Sequence, residues 1–325
     1  MNSIIRQAQR LTQQDVAEAH KRRNLPIPRS QGDVYLERKI ERDLEKDAPS
    51  TGYPDLDKII KGFIPGHLYT VTGSENTGKT SLCCNFAVRV AKQRRKILYF
   101  ALEPENAVLD YLASVRTGKR FDELTDKDLQ HDDEYISIYG KQEVPTLEQL
   151  VEIVTLSEVQ YDLIIIDHIG YFIMGTQNYI QEQSNAVKAL AGLAKERKTA
   201  ILLIAHLRKR PSGQKRDYLP TSDDISGSGA FKQDSTEVMI VVREYVDPEN
   251  DVAFSYDGKL VVTKTKCGPN GQIPVFFAER CANISTPGER LREIRDVKES
   301  LGFDEPAQAY PPKVVPTTPT RLEWG

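Results

Sequence analysis

The run Gly73-Ser74-Glu75-Asn76-Thr77-Gly78-Lys79-Thr80 fits the spacing G-x-x-x-x-G-K-[ST]. Glycines at these positions let backbone N–H groups wrap a phosphate chain, the lysine ammonium reaches the β- and γ-phosphates, and the threonine hydroxyl meets Mg²⁺. An apolar run, Leu68 to Thr72, precedes the loop, and a helical run opening at Ser81-Leu82 comes after it. This strand, loop and helix predict a cradle for ATP with Mg²⁺, lined by residues 73 to 81.

Hydrolysis of the bound nucleotide asks for more than a cradle. It needs a carboxylate to order Mg²⁺, a second to activate water, a group that senses the γ-phosphate, and a positive charge for the transition state. Candidates stand where apolar runs end. Asp167 closes Leu163-Ile164-Ile165-Ile166 and suits the metal, although an acid also commonly ends a strand. Glu103, after Tyr99-Phe100-Ala101-Leu102, suits the general base, with Glu105 as its local competitor. His206 closes Ala200 to Ala205. A lone histidine is more often structural, but the basic residues directly after this one favour a phosphate-sensing role. Arg208, Lys209, Arg210, Lys215 and Arg216 surround Pro211-Ser212-Gly213-Gln214, a basic loop in a chain of formal net charge −3, and single-stranded nucleic acid is its expected ligand. Gly227, Ser228 and Gly229 offer glycine-spaced backbone N–H groups to a further phosphate, a weak signal alone. Lys264 and Lys266, two apart on a predicted strand, would share one face as a cationic spot.

These residues need a scaffold that gathers strand ends. Strands predicted at 68–72, 96–102, 135–139, 163–167 and 200–205 alternate with helical spacing after Thr146 and through Val187, Leu190, Ala191 and Ala194. That alternation predicts an α/β fold with a mostly parallel sheet flanked by helices, ligands binding at the carboxyl ends of the strands. From residue 238 the pattern changes to strands at 238–242, 260–264 and 274–278. The turn chemistry of Gly268-Pro269-Asn270-Gly271 makes the last two a hairpin on the sheet edge.

With 325 residues, 39% of them hydrophobic, the chain can bury one sizeable core. Residues 1–49 read as an arm whose apolar positions Leu36, Ile40 and Leu44 stripe a charged helix suited to docking on a neighbouring subunit. Residues 50–282 read as the catalytic core, 283–303 as a charged helix and 304–325 as a proline-rich disordered tail. Cys83, Cys84, Cys267 and Cys281 lack C-x-x-C spacing, and no apolar run approaches eighteen residues, so a reducing cytoplasm without membrane contact is expected, a host's if the chain is phage-encoded. Cys83 and Cys84 read as small buried hydrophobes.

The phosphate loop, Phe100-Ala101-Leu102-Glu103, Ile166-Asp167-His168-Ile169, His206-Leu207, Gly227-Ser228-Gly229-Ala230 and Lys264-Thr265-Lys266, in this order, resemble the ATPase domain of DnaB-type hexameric replicative helicases, most closely the helicase half of phage primase-helicases and Twinkle. The resemblance covers roughly residues 50 to 280. It implies a RecA-like P-loop core in a hexameric ring with ATP between subunits, and DNA helicase activity on single-stranded DNA in replication. It further implies Glu103 as base, Asp167 at Mg²⁺, His206 as the switch from γ-phosphate to DNA, and channel loops around Arg208 and Gly227. Lys266 stands where that family usually places an arginine finger, and lysine lacks the bidentate fork. Lysine pairs there resemble RecA-type recombinases instead, which keeps a RecA- or RadA-like single-strand binder without unwinding as the alternative. Ser226 stands where the primase-helicases are often basic. No primase-like sequence precedes residue 50, so primase and polymerase are expected as separate partners.

Overall fold

The computed structural model describes residues 30–102, 105–131, 133–173, 178–207, 220–225, 228–245 and 254–292. The chain divides after Ala48 into two units. In the first, helix α1 (Gln31–Lys46) starts at a capping box: the Ser30 hydroxyl accepts from the Asp33 N–H at 3.1 Å, and the Asp33 carboxylate accepts from the Ser30 N–H at 3.1 Å. None of its residues is buried, and Leu36 and Ile40 are 56% and 50% exposed.

The second unit is built on one nine-stranded sheet in the order β3-β2-β4-β5-β1-β6-β7-β8-β9. Its strands are β1 (Leu68–Gly73), β2 (Ile97–Ala101), β3 (Ile136–Gly140), β4 (Leu163–Asp167), β5 (Ala200–His206), β6 (Glu237–Tyr245), β7 (Phe254–Lys264), β8 (Gly271–Phe277) and β9 (Ile284–Ser285). From β3 to β6 every pairing is parallel, and from β6 to β9 every pairing is antiparallel. The parallel strands read as unbroken apolar runs because helices cover both faces. On one face α2 (Pro54–Ile60), α3 (Lys79–Ala91) and α4 (Glu105–Thr117) pack over Tyr69, Val71, Tyr99 and Ile165. There Phe86 meets Tyr53 and Phe63 edge-on, with centroids 5.7 and 5.2 Å apart. Such pairs add about 0.5–1.5 kcal/mol each beyond area burial. The other face carries α6 (Leu147–Leu156), α7 (Tyr179–Arg197) and α8 (Ser228–Asp234) over Leu98, Phe100, Ile164 and Leu203. Between α4 and β3 the acid-rich surface stretch holds the short α5 (Asp126–Leu129), fastened by Lys119 to Asp128 at 2.7 Å.

The edge hairpin of β7 and β8 is present, but β7 begins at Phe254, earlier than hydrophobic pattern indicated. Its first half carries Ser255, Tyr256, Asp257 and Gly258, polar or small residues that give no apolar alternation. The expected boundary after residue 282 needs correction. Ile284 and Ser285 pair with β8, the Tyr53 hydroxyl donates to the Ile284 carbonyl at 3.0 Å, and Asn85 Nδ2 donates to the Ala282 carbonyl at 2.7 Å. Arg89 on α3 then pairs with Glu289 at 2.7 Å. Polar groups of α3 thus hold residues 282–289 in the packed unit, and helix resumes only over 287–292. The proline-rich 304–325 lies outside the described residues.

Candidate nucleotide site

The conformation of the loop after β1 is set by its residue types. Gly78, the residue before α3, has φ +94°, and a Cβ there would lie 2.7 Å from Phe277 Cε1 of β8. A Cβ on Gly73 would meet the Thr77 hydroxyl at 2.7 Å and the Val241 carbonyl at 2.8 Å. Only glycine fits both, so the backbone closes tightly into a cradle. Thr77 staples it by donating to the Ser74 carbonyl at 2.9 Å. Lys79 is 8% exposed, and its ammonium donates to the Gly73 and Ser74 carbonyls at 3.2 and 2.8 Å. The lysine is thereby held under the loop, and Thr80 and Ser81 come next on the first turn of α3, both partly exposed.

Register brings the other candidates to the same end of the sheet. Gly73 pairs with His206, and Ala101 pairs with Asp167. Strand β5 lies between β1 and β4, so His206 stands between the loop and Asp167. Asp167 is 2% exposed, and Tyr99 donates its hydroxyl to Asp167 Oδ2 at 2.9 Å. Burial and then the Asp167 charge push the Tyr99 pKa well up, so the phenol keeps the proton it donates. The Cys83 thiol is likewise raised by burial and by Asp167, while Lys79 acts on it in the opposite sense. The Asp167 carboxylate and the Lys79 ammonium thus both lie at the loop's end of the sheet. This pairing, with a hydroxyl at Thr80 and a cradle too tight for a Cβ, fits a triphosphate and a divalent cation. Cys83 and Cys84 are fully buried free thiols, as their positions predicted.

His206 packs edge-on against His168, ring centroids 4.4 Å apart. Just beyond, Leu207 forms an antiparallel bridge with Ile225. Ile225 is thus fastened beside His206. Glu103, Arg208, Lys209, Arg210, Lys215, Arg216 and Gly227 lie outside the described residues, as does the Ser228 side chain; Gly229 is in the first turn of α8.

The lysine pair stands apart. Val238 pairs with Lys264 while Gly73 pairs with Val241, so Lys264 is set back from the loop by roughly 10 Å along the strands, toward the opposite end of the sheet. Strand β7 ends at Lys264, so the alternation that would align both lysines stops short of Lys266. Lys264 donates to the Lys232, Gln233 and Ser235 carbonyls at the end of α8, whereas Lys266 is exposed. Burial, then Lys266, lowers the Lys264 pKa.

Sequence reasoning gave no role to Tyr99, His168 or Phe277. Tyr99 was within reach of it, since it lies two residues before Ala101 on the face that pairing with β4 turns toward Asp167. Phe277 was not, because its meeting with Gly78 depends on where a distant hairpin folds.

The sequence profile described as DnaB-like helicase C terminal domain matches residues 49–286. The replicative DNA helicase DnaB of Mycoplasma genitalium is 27% identical over 255 residues, 70% of this chain and 54% of that protein. The replicative DNA helicase DnaB of Haemophilus influenzae is 24% identical over 270 residues, 76% of this chain and 57% of that protein. The chain thus spans about half the length of the curated relatives it matches. A solved DnaB-like replicative helicase, described with its interactions with primase, superposes with TM-score 0.64 at 15% identity, covering 87% of this chain and 74% of that one. A solved ATPase domain superposes with TM-score 0.65 at 15% identity, covering 79% of this chain and 97% of its own. The fold is therefore the RecA-like one expected, and the chain belongs to the DnaB-like helicase C-terminal domain family.

Proposed function

We propose that this chain is the motor of a ring-forming, ATP-hydrolysing DNA helicase that translocates on single-stranded DNA in replication, as a hexamer with each nucleotide between two copies. One observation carries the reading: the Gly73–Thr80 loop, Asp167 and His206 share one end of the sheet, and the Leu207–Ile225 bridge fastens the flanks of the basic segment beside His206.

When bound, ATP with Mg²⁺ supplies the phosphoanhydride whose hydrolysis drives movement. The loop N–H groups and Lys79 bind its β- and γ-phosphates, and Thr80 and Asp167 hold the metal. Glu103 takes the proton from the attacking water. His206 exchanges contacts with the γ-phosphate, moving the segment that begins at Leu207. Arg208, Lys209, Arg210, Lys215 and Arg216 grip DNA phosphates, together with the Gly227, Ser228 and Gly229 backbone. Lys266, with Lys264 beside it, presents positive charge to the neighbouring copy's nucleotide, as their distance from their own loop supports. An arginine finger is worth about 10³ to 10⁵ in rate, and the lysine is expected to deliver less. The exposed stripe of α1 docks on a neighbouring copy. Primase and polymerase act as separate partners, in the cytoplasm where the DNA is; among the described residues no helix is long and apolar enough to cross a membrane.

Particle images with a non-hydrolysed ATP analogue, with and without single-stranded DNA, alongside unwinding of a forked duplex, test this. Closed six-membered rings and ATP-dependent unwinding are expected. Open filaments without unwinding would establish the RecA-like alternative, which the lysine pair alone favours and family membership does not.

A further inference from the structure

Of Asp167-His168-Ile169-Gly170, the chemistry proposed above uses only the acid. Strand β4 ends at Asp167, and His168 opens the short 3₁₀ turn Ile169–Phe172, in which the Tyr171 N–H donates to the His168 carbonyl at 3.2 Å. Ile169 is buried in the core with Phe100 and Ile166, so the turn is pinned, and His168 with it. His168 is itself buried, and its ring occupies a slot with two walls. One wall is Gly170, where a Cβ would stand 2.7 Å from both Cε1 and Nδ1 of the imidazole. The φ of Gly170 is outside the left-handed region, so the ring, not the backbone conformation, accounts for a glycine here. The other wall is the His206 ring, edge-on with 4.4 Å between centroids, an arrangement that aromatic pairs favour. His206 is only partly buried at its strand end. An imidazole so placed could turn among several staggered positions, and a fixed ring packed against it removes some of them.

We propose that His168 is a positioning residue: its ring, kept in place by Gly170, sets the direction in which the His206 ring faces the γ-phosphate. This rests on the reading of His206 as the group that senses that phosphate. Asp167 and His168 are consecutive, so one pinned segment carries both the metal-binding acid and the ring against which the sensor packs. A sensor held in this way passes a change at the phosphate on to its own strand end, at Leu207, instead of absorbing it as a rotation of the imidazole. The contribution of His168 is therefore to the coupling of DNA with hydrolysis, not to holding ATP or the metal. It acts by filling space, and no proton gained or lost by His168 enters.

The test measures ATP hydrolysis by the full chain, with and without a single-stranded oligonucleotide. It compares His168→Ala, His168→Phe, Gly170→Ala, His206→Ala and the double variant His168→Ala/His206→Ala. In His168→Ala the DNA-stimulated kcat should fall about tenfold, while the KM for ATP and the half-saturating Mg²⁺ concentration stay within about twofold of native. His168→Phe, which keeps a planar ring, should recover most of the loss. Gly170→Ala should reproduce the loss, because the added methyl displaces the ring. The double variant should be no slower than His206→Ala alone, since a wall without a sensor has nothing to set. Losses that multiply in the double variant, a shifted Mg²⁺ titration in His168→Ala, or a His168→Phe as impaired as His168→Ala would each overturn the proposal. Native stimulation in His206→Ala would overturn the reading of His206 itself, and the proposal with it. Should His168→Ala fail to assemble, Gly170→Ala combined with His206→Ala makes the same comparison.

Discussion

The Tyr99 hydroxyl donates to Asp167 Oδ2 across 2.9 Å, fixing one oxygen of the buried carboxylate. Tyr99→Phe removes that donor and keeps the ring. Groups that orient a metal-binding carboxylate typically matter 10- to 100-fold in metal affinity, so the Mg²⁺ concentration that half-saturates ATP hydrolysis should rise by about tenfold or more. A titration unchanged from the native chain would take the metal away from Asp167.

Gly78→Ala forces a Cβ onto a backbone at φ +94° and to 2.7 Å from Phe277. The left-handed conformation alone costs about 1–2 kcal/mol, and the contact adds to it. Titration with a fluorescent ATP analogue should show affinity reduced by an order of magnitude or more. Adding Phe277→Leu relieves the contact but not the backbone, so recovery should be partial.

Lys79→Ala and Glu103→Gln should each abolish hydrolysis while circular dichroism and melting stay near native. Normal turnover in Glu103→Gln would pass the base role to another acid, with Glu105 the first to examine.

Replacing Arg208, Lys209 and Arg210 together by alanine removes three cations from the proposed DNA grip. On single strands each phosphate contact contributes about 0.7 to the slope of log affinity against log salt, so the slope should flatten by about 2. An unchanged slope, read by fluorescence anisotropy over a salt series, would place the DNA contacts elsewhere.

The Arg89–Glu289 pair gives the fold a dependence on pH. Burial by itself would raise the Glu289 carboxyl, but hydrogen bonds from Arg89 and the Thr286 N–H outweigh it and hold it below its ordinary 4.5. A depressed folded-state value means the stabilisation is present above the ordinary value and is lost as pH falls through the depressed one. Glu289→Gln should cost about 1–2 kcal/mol at pH 7, measured by urea unfolding. At a pH below the depressed value the variant and the native chain should converge.

The catalytic half of the molecule was readable because its elements are local. A glycine loop, apolar runs closed by Asp167 and His206, and a helix after Lys79 each declare themselves within a few residues, and parallel pairing brings their ends together without further information. The rest was hidden where contacts join distant segments. Nothing near Ile284 announces that Tyr53, Asn85 and Arg89 will hold that segment, so the core was drawn too short. The polar first half of β7 hid its length, and Lys264 was assigned by alternation although the strand stops at that residue. For Ile284 and for Lys264, partners more than twenty residues away decided the outcome.

The separation of Lys266 from its own phosphate loop has a kinetic meaning. A solitary copy holds the cradle at one end of its sheet and the cation proposed to complement it toward the other, with roughly 10 Å of strand or more between them. Hydrolysis per chain is then not an intensive property: it should collapse on dilution and recover on concentration, following the fraction of copies that have a neighbour in register. A pool of Lys79→Ala chains added in excess should silence native ones in the same way, each dead copy diluting the number of working junctions.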